Sequence, residues 1–227
     1  MAMWQMISPI RRARLSYTYH RKSLDKHLQP ACNTLTGMVI DLGGVKKRRG
    51  AFQVPQRLGL YWVCLNLNSG VDPDLVGDVA CVPFIDACAD TVVCTEVLEH
   101  VPNPEDVLTE AYRLLKPGGK LIVSIPFMMK VHANPYDYQR YTSTKLHNLL
   151  TEIGFRQLNI QPLGLYFTIL ADLIRDGLTQ IRLTPIRWSL ALLVLPCLNW
   201  LVRYERQMSS SSFVTSYVSG YFVTAYK

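Results

Sequence analysis

Three clusters of polar residues in this chain have the types and spacing that chemistry requires. Glu96, Glu99 and His100 stand close together at the end of the apolar run Thr91 to Thr95. Pro126 to Thr142 holds His132, Asp137 and Arg140, with Tyr136 and Tyr138 among them, a density that a passive loop rarely needs. Histidine and carboxylate can take a proton from a nucleophile, and arginine and tyrosine can hold a polar ligand. Asp41-Leu42-Gly43-Gly44 closes another apolar run, and glycines there let backbone amides come close to a ligand.

The elements that must position these clusters follow from periodicity. Thr91 to Thr95 reads as a strand, a Pro-bounded turn follows, and Val107, Leu108, Ala111, Leu114 and Leu115 fall on one face of a helix. Lys116-Pro117-Gly118-Gly119 is expected to stop that helix before a strand from Leu121 to Ile125. Such a βαβ unit belongs in a parallel sheet, whose ligands bind at the carboxyl ends of the strands. Glu96, Glu99 and His100 fall at such an end. Further strands are expected at Met38 to Leu42, Tyr61 to Leu67, Leu75 to Val79, Phe155 to Ile160 and Tyr217 to Tyr226, the last antiparallel. Ser143 to Ile153 reads as a helix capped by Gly154.

Val97-Leu98-Glu99-His100-Val101 followed by Leu115-Lys116-Pro117-Gly118-Gly119 resembles the second half of a class I S-adenosylmethionine-dependent methyltransferase domain. The resemblance runs from about residue 38 to 160 and returns at the C-terminus. It implies a Rossmann-like α/β fold, a doubly wound and mostly parallel seven-stranded sheet with an antiparallel C-terminal strand. It also implies S-adenosylmethionine as cofactor and methyl transfer as the reaction. Residues 1–36 are expected to form a basic helical arm and 37–227 the methyltransferase domain, with an apolar helical insertion over 163–206.

By that resemblance, Asp41, Gly43 and Gly44 occupy the first glycine-rich motif, which opens a helix in the family. This chain departs from the three-glycine form, with Val45 and Lys46 before the next glycine, Gly50. Asn68 stands where an acid usually meets the ribose, with Asn66 on the same strand face. Asp78 and Val79 resemble the adenine contacts, and Glu96 lines the methionine end. His100, Tyr136, Tyr138 and Arg140 are the expected acceptor-binding residues, and His132 and Asp137 the expected catalytic bases. An alternative stays open in which Asn68 and Asp78 only make turns, Asp137 pairs with Arg140, the tyrosines pack, and Thr142 or Ser143 caps the next helix.

Composition bounds the rest. The 227 residues suffice for one domain with a full core, and the net charge of +7 is carried partly by acid-free and clustered blocks, Arg11 to Lys22 and Lys46 to Arg49. The six cysteines include no CxxC pair, so no metal is expected, and His100 has no metal partner beside it in sequence. Met1 to Ile10, broken by Gln5, Ser8 and Pro9, lacks the apolar stretch of a secretory leader, so a cytoplasmic location is expected. Trp188 to Val202 carries no charge and is flanked by Arg187 and Arg203. Interrupted by Pro196 and Asn199, it is too short for a membrane span and reads as a lid or an interfacial anchor. The acceptor is then a small molecule, glycan or lipid-linked compound. Two rival readings are a binding protein that kept the fold but lost catalysis, and an RNA methyltransferase. Nucleic acid is not an expected partner, because no RNA-binding module is recognisable. Sequence does not set the oligomeric state.

Overall fold

The first strand, β1 (Gly37–Leu42), is buried along its last four residues, as a central strand covered on both faces must be. It pairs in parallel with β2 (Leu60–Asn66) on one side and β4 (Ala89–Thr95) on the other. The computed structural model describes residues 17–46, 50–132, 136–208 and 210–227. The start of the expected arm (1–16), Lys47 to Arg49 and residues 133–135 lie outside the described residues, as does the side chain of Arg206.

With β3 (Leu75–Val76), β5 (Leu115–Pro126), β6 (Arg156–Pro162) and β7 (Gly220–Tyr226), the strands form one seven-stranded sheet in the order β3-β2-β1-β4-β5-β7-β6. The strands from β1 to β5 pair in parallel, and β7 runs antiparallel to both β5 and β6. This is the expected Rossmann-like, mostly parallel α/β sheet. It belongs to a compact unit made of Leu24–Pro162 and Gly220–Lys227.

Two helices of this unit bury the faces their sequences mark. In α2 (Pro104–Leu114), Val107, Leu108, Ala111 and Leu114 are buried, and a proline opens the first turn. In α3 (Ser143–Ile153), Thr142 accepts the Lys145 amide at the start, and Gly154 at φ 114° closes the end.

Three expectations needed correction. Lys116-Pro117-Gly118-Gly119 does not separate helix from strand. β5 already begins at Leu115, and the segment is a bulge where the register against β4 shifts. Its glycines pair with the chain end, Gly118 N donating to Lys227 O at 3.1 Å and Lys227 N to Gly119 O at 3.0 Å. The strand expected over Leu75 to Val79 stops at Val76. No helix follows the Gly43-Gly44 turn among the described residues between β1 and β2. Val45, the run of like charges from Lys46 and Pro55 all disfavour one.

That connection is braced by α1 (Tyr19–Asn33) instead. Asp25 accepts the Ala51 amide at 2.6 Å, Gln29 exchanges two hydrogen bonds with the backbone of Gln53, and Arg57 donates to Asn33 O at 2.7 Å.

The other compact unit comprises Leu163–Ser219 and the described residues before Leu24. It contains α4 (Tyr166–Gln180), α5 (Thr184–Tyr204) and the short α6 (Ser212–Thr215). Two carboxylates satisfy helix starts in it. The buried Glu205 accepts the amides of Leu165 at 2.8 Å and Thr168 at 2.7 Å, and Asp172 accepts those of Tyr19 and His20, each at 2.8 Å. α5 corrects another expectation. It runs unbroken through Pro196 and Asn199 for 21 residues. By length and composition it could cross a membrane, and only 11% of its apolar window is buried.

Candidate functional site

The register places the carboxyl ends of the parallel strands in one row. Leu42 stands beside Leu65 and Cys94, Asn66 beside Val76, and Thr95 beside Ser124. Gly43-Gly44, Asn68, Asp78 and Glu96 each follow one of these ends.

The glycine turn leaves no room for side chains. Gly43 has φ +75°, and a Cβ there would come within 2.4 Å of Val97 Cγ2. A Cβ on Gly44 would lie 2.3 Å from Asp41 Oδ2. The turn is fixed from the neighbouring strand, since Asn66 Nδ2 donates to Gly43 O at 3.0 Å and to Gly44 O at 2.9 Å. Asp41 is buried, and its Oδ2 accepts from Trp62 Nε1 at 3.3 Å. It therefore serves as the floor of the turn.

Asn68 and Asp78 are exposed and each spends one oxygen on a turn. Asn68 Oδ1 accepts the Gly70 amide at 2.9 Å, and Asp78 Oδ1 accepts the Ala80 amide at 2.9 Å. Val79 beside it is buried. Among the described residues, nothing hydrogen-bonds the amide nitrogen of Asn68 or the second oxygen of Asp78.

At the end of β4 the chain turns sharply. Glu96 adopts φ 55°, and its Oε1 accepts from Ser124 Oγ at 2.8 Å. A 3₁₀ turn, Leu98–His100, follows. The loop after β5 is stitched onto that turn. Tyr138 N donates to Glu99 O at 2.8 Å, and Gln139 Nε2 donates to Leu98 O at 3.1 Å and Val101 O at 2.8 Å.

The stitching brings together residues far apart in sequence. The rings of His100 and His132 meet edge to face with centroids 5.0 Å apart. His100 Nδ1 lies 2.6 Å from Tyr136 O and its Nε2 lies 3.6 Å from Glu99 Oε1. A carbonyl can only accept, so Nδ1 carries the proton. His132 Nδ1 faces Lys130 O at 3.3 Å and Asp137 Oδ2 at 3.5 Å, two more acceptors, which fixes the same tautomer. Both imidazoles thus present Nε2 as the lone-pair atom.

Asp137 is tied down. Both of its oxygens are engaged by Arg140, and Oδ2 also accepts the His132 amide at 3.0 Å. The Arg140 hydrogen bonds hold its carboxyl well below the usual carboxylate range. Such a group is a weak base, and its visible work is to orient His132. Tyr136 and Tyr138 are largely exposed, their rings 5.6 Å apart, where a ligand could lie against them.

Glu99 was singled out with Glu96 and His100 in the sequence but given no role of its own. It is 0% exposed, and neither carboxylate oxygen has a hydrogen-bond partner among the described residues. Burial, with Glu96 nearby, pushes its carboxyl up to about 8. The Glu-x-x-Glu-His spacing of Glu96, Glu99 and His100 was the available signal. Asn66 was noted beside Asn68 on the ribose side of the strand, but its role as the clamp on the glycine turn was not legible in the sequence.

Residues 26–123 match a family described as a methyltransferase domain. A ubiquinone biosynthesis O-methyltransferase of Dechloromonas aromatica (strain RCB) is 47% identical over 49 residues, which are 22% of this chain and 19% of that protein. The chain therefore aligns with about a fifth of that curated relative's length. An S-adenosylmethionine-dependent methyltransferase of Thermotoga maritima superposes with TM-score 0.57 at 16% identity, over 98% of this chain and 97% of that one. Phosphoethanolamine N-methyltransferase 2 of Haemonchus contortus, in complex with S-adenosyl-L-methionine, does so with TM-score 0.58 at 13% identity, over 90% of this chain and 52% of that one.

Proposed function

We propose that the chain, whose residues 26–123 match a methyltransferase-domain family, transfers the methyl group of S-adenosylmethionine to a small-molecule, glycan or lipid-linked acceptor. The observation that carries this reading is the row of strand ends, with a glycine turn at one end and the Glu99–His100–His132 cluster at another. The adenosine would lie along Gly43, Gly44, Asn68, Asp78 and Val79. The sulfonium would point toward Glu96 and the cluster. In the transfer the bond from sulfur to methyl breaks, its electron pair stays on sulfur, and the acceptor's lone pair forms the new bond. A hydroxyl acceptor must also lose its proton, and His132 Nε2 would take it. Asp137 is then a positioning residue, and Tyr136, Tyr138 and Arg140 line the acceptor side. Orientation of the two partners supplies most of the remaining rate.

The cofactor part is tested at Asp78. Its exposed side chain bears little on folding, but an adenine amine bonded to it would lose that partner in Asp78→Ala. S-adenosylmethionine binding is expected to weaken by about 1–3 kcal/mol in calorimetry, with the unfolding midpoint unchanged. Wild-type affinity in both this variant and Gly43→Val would remove the assignment.

The helical unit favours an acceptor at a membrane surface. Leu190, Leu192, Leu193 and Trp200 of α5 are exposed. Arg187 lies over the Trp188 ring, 5.4 Å from its centroid, and Arg203 stands in the helix's last turn. A cavity of about 430 Å³ beside α5 combines Trp188, Leu192 and Leu195 with Lys22, a lining suited to an acyl chain with an anionic head. The unit would lie on a cytoplasmic membrane face as a peripheral contact. In liposome flotation with anionic vesicles, the intact protein is expected to float and a Leu192→Gln/Leu193→Gln/Trp200→Gln variant to stay at the bottom. Equal, negligible flotation of both would reject the contact.

A further inference from the structure

Three metal-ligand atoms converge at the end of β4. One atom each from Glu99, His100 and His132 lies within 4.8 Å of the other two. Ligands about 2.0–2.2 Å from a shared tetrahedral cation stand roughly 3.4 Å apart. The separation of 3.6 Å between Glu99 Oε1 and His100 Nε2 is already close to that. His132, more than a third exposed on a loop, can close the remaining gap by a small rotation.

Three further features suit a cation. Glu99 is fully buried, and both its oxygens lack hydrogen-bond partners among the described residues, a costly arrangement unless an opposite charge joins them. Each imidazole turns its Nε2 lone pair away from its own anchor, with Nδ1–H directed at a carbonyl or carboxylate. Metal-binding histidines are oriented in this way. The Arg140–Asp137 pair behind His132 then acts as the outer support of a ligand.

We propose that Glu99, His100 and His132 bind one divalent transition-metal cation of the Zn²⁺ or Mn²⁺ type, leaving coordination positions open toward the acceptor. Two histidines and one carboxylate form a donor set such cations favour. No metal was expected from the sequence, because His132 stands far from His100 along the chain. The cation's role, unlike its binding, rests on the reading that the acceptor meets this cluster. The acceptor's hydroxyl oxygen would bind the cation, its pKa would fall, and its proton would leave to water. Its lone pair would then take the methyl group. His132 would hold the cation and would no longer take the proton itself.

The test needs no acceptor. Protein stripped with EDTA and desalted is titrated with Mn²⁺, followed by the electron paramagnetic resonance of the free ion, and with Zn²⁺ by calorimetry. One equivalent is expected to bind per chain and to raise the thermal unfolding midpoint. Glu99→Gln, which nearly conserves shape, and His132→Ala, which alters an exposed side chain, should each bind at least about tenfold more weakly and lose the midpoint rise. Absence of saturable one-to-one binding of either ion, or wild-type affinity in both folded variants, would overturn the proposal. S-adenosylmethionine is titrated into the same stripped sample. If the cofactor binds and the cations do not, the metal site alone falls. If the cations bind and the cofactor does not, the methyl-transfer reading falls and the metal site stands.

Discussion

His132→Ala is expected to lower turnover by roughly 10²–10⁴-fold, whether the imidazole takes the acceptor's proton directly or holds the cation that acidifies it. The affinity for S-adenosylmethionine should stay within about threefold, or about 0.65 kcal/mol. The split follows from position. His132 lies in the loop after β5, opposite Glu99 and His100, whereas the glycine turn, Asn68 and Asp78 belong to other strand ends. Its removal leaves no buried cavity, because the ring is partly exposed, and it leaves the Asp137–Arg140 pair intact. The measurement is a methyl-transfer assay with tritiated cofactor on whichever glycan, lipid-linked or small-molecule acceptor the wild-type protein modifies. Full activity in the variant would leave His132 a structural residue. As a companion, Asp137→Asn should lower kcat less than His132→Ala does, since it loosens the imidazole without removing it.

Gly43→Val is expected to abolish measurable cofactor binding and to destabilise the sheet unit by roughly 2–5 kcal/mol. Two independent costs add. Gly43 sits at φ +75°, where a β-branched residue is strained. Its new side chain would also drive into Val97 at the end of β4, which must then move together with Glu96. The backbone would have to shift, and the Asn66 hydrogen bonds to the turn would go with it. Urea unfolding and calorimetry on the same preparation check both effects. A variant as stable as wild type, with unaltered cofactor affinity, would mean the turn is neither tight nor part of the site.

The parts of the fold legible in the sequence were those governed by local rules. Thr142 brackets α3 through its side-chain oxygen and Gly154 through the left-handed backbone that glycine allows, and the buried face of α2 follows its helical spacing. Features set by distant pairing were not legible. The Pro-Gly-Gly segment reads locally as a stop, yet Lys227 at the far end of the chain pairs with it. Pro196 reads as a break, yet α5 passes through it. Among the described residues after Gly44 no crossover helix forms, and hydrogen bonds from α1 brace the connection instead, a contact no local pattern announces. The same division holds at the site. Gly43, Asp78 and Glu96 could be nominated from their places after strands. Glu99 acquired a role only once its burial was known, and the meeting of His100 with His132 depends on Gln139 and Tyr138 stitching one loop to another.

The most direct test of the account is calorimetric titration of the purified wild-type chain with S-adenosylmethionine and with its demethylated product, S-adenosylhomocysteine. Saturable one-to-one binding of both is expected, weakened in Asp78→Ala and absent in Gly43→Val. No heat of binding from either ligand, with a protein shown to be folded, would contradict it.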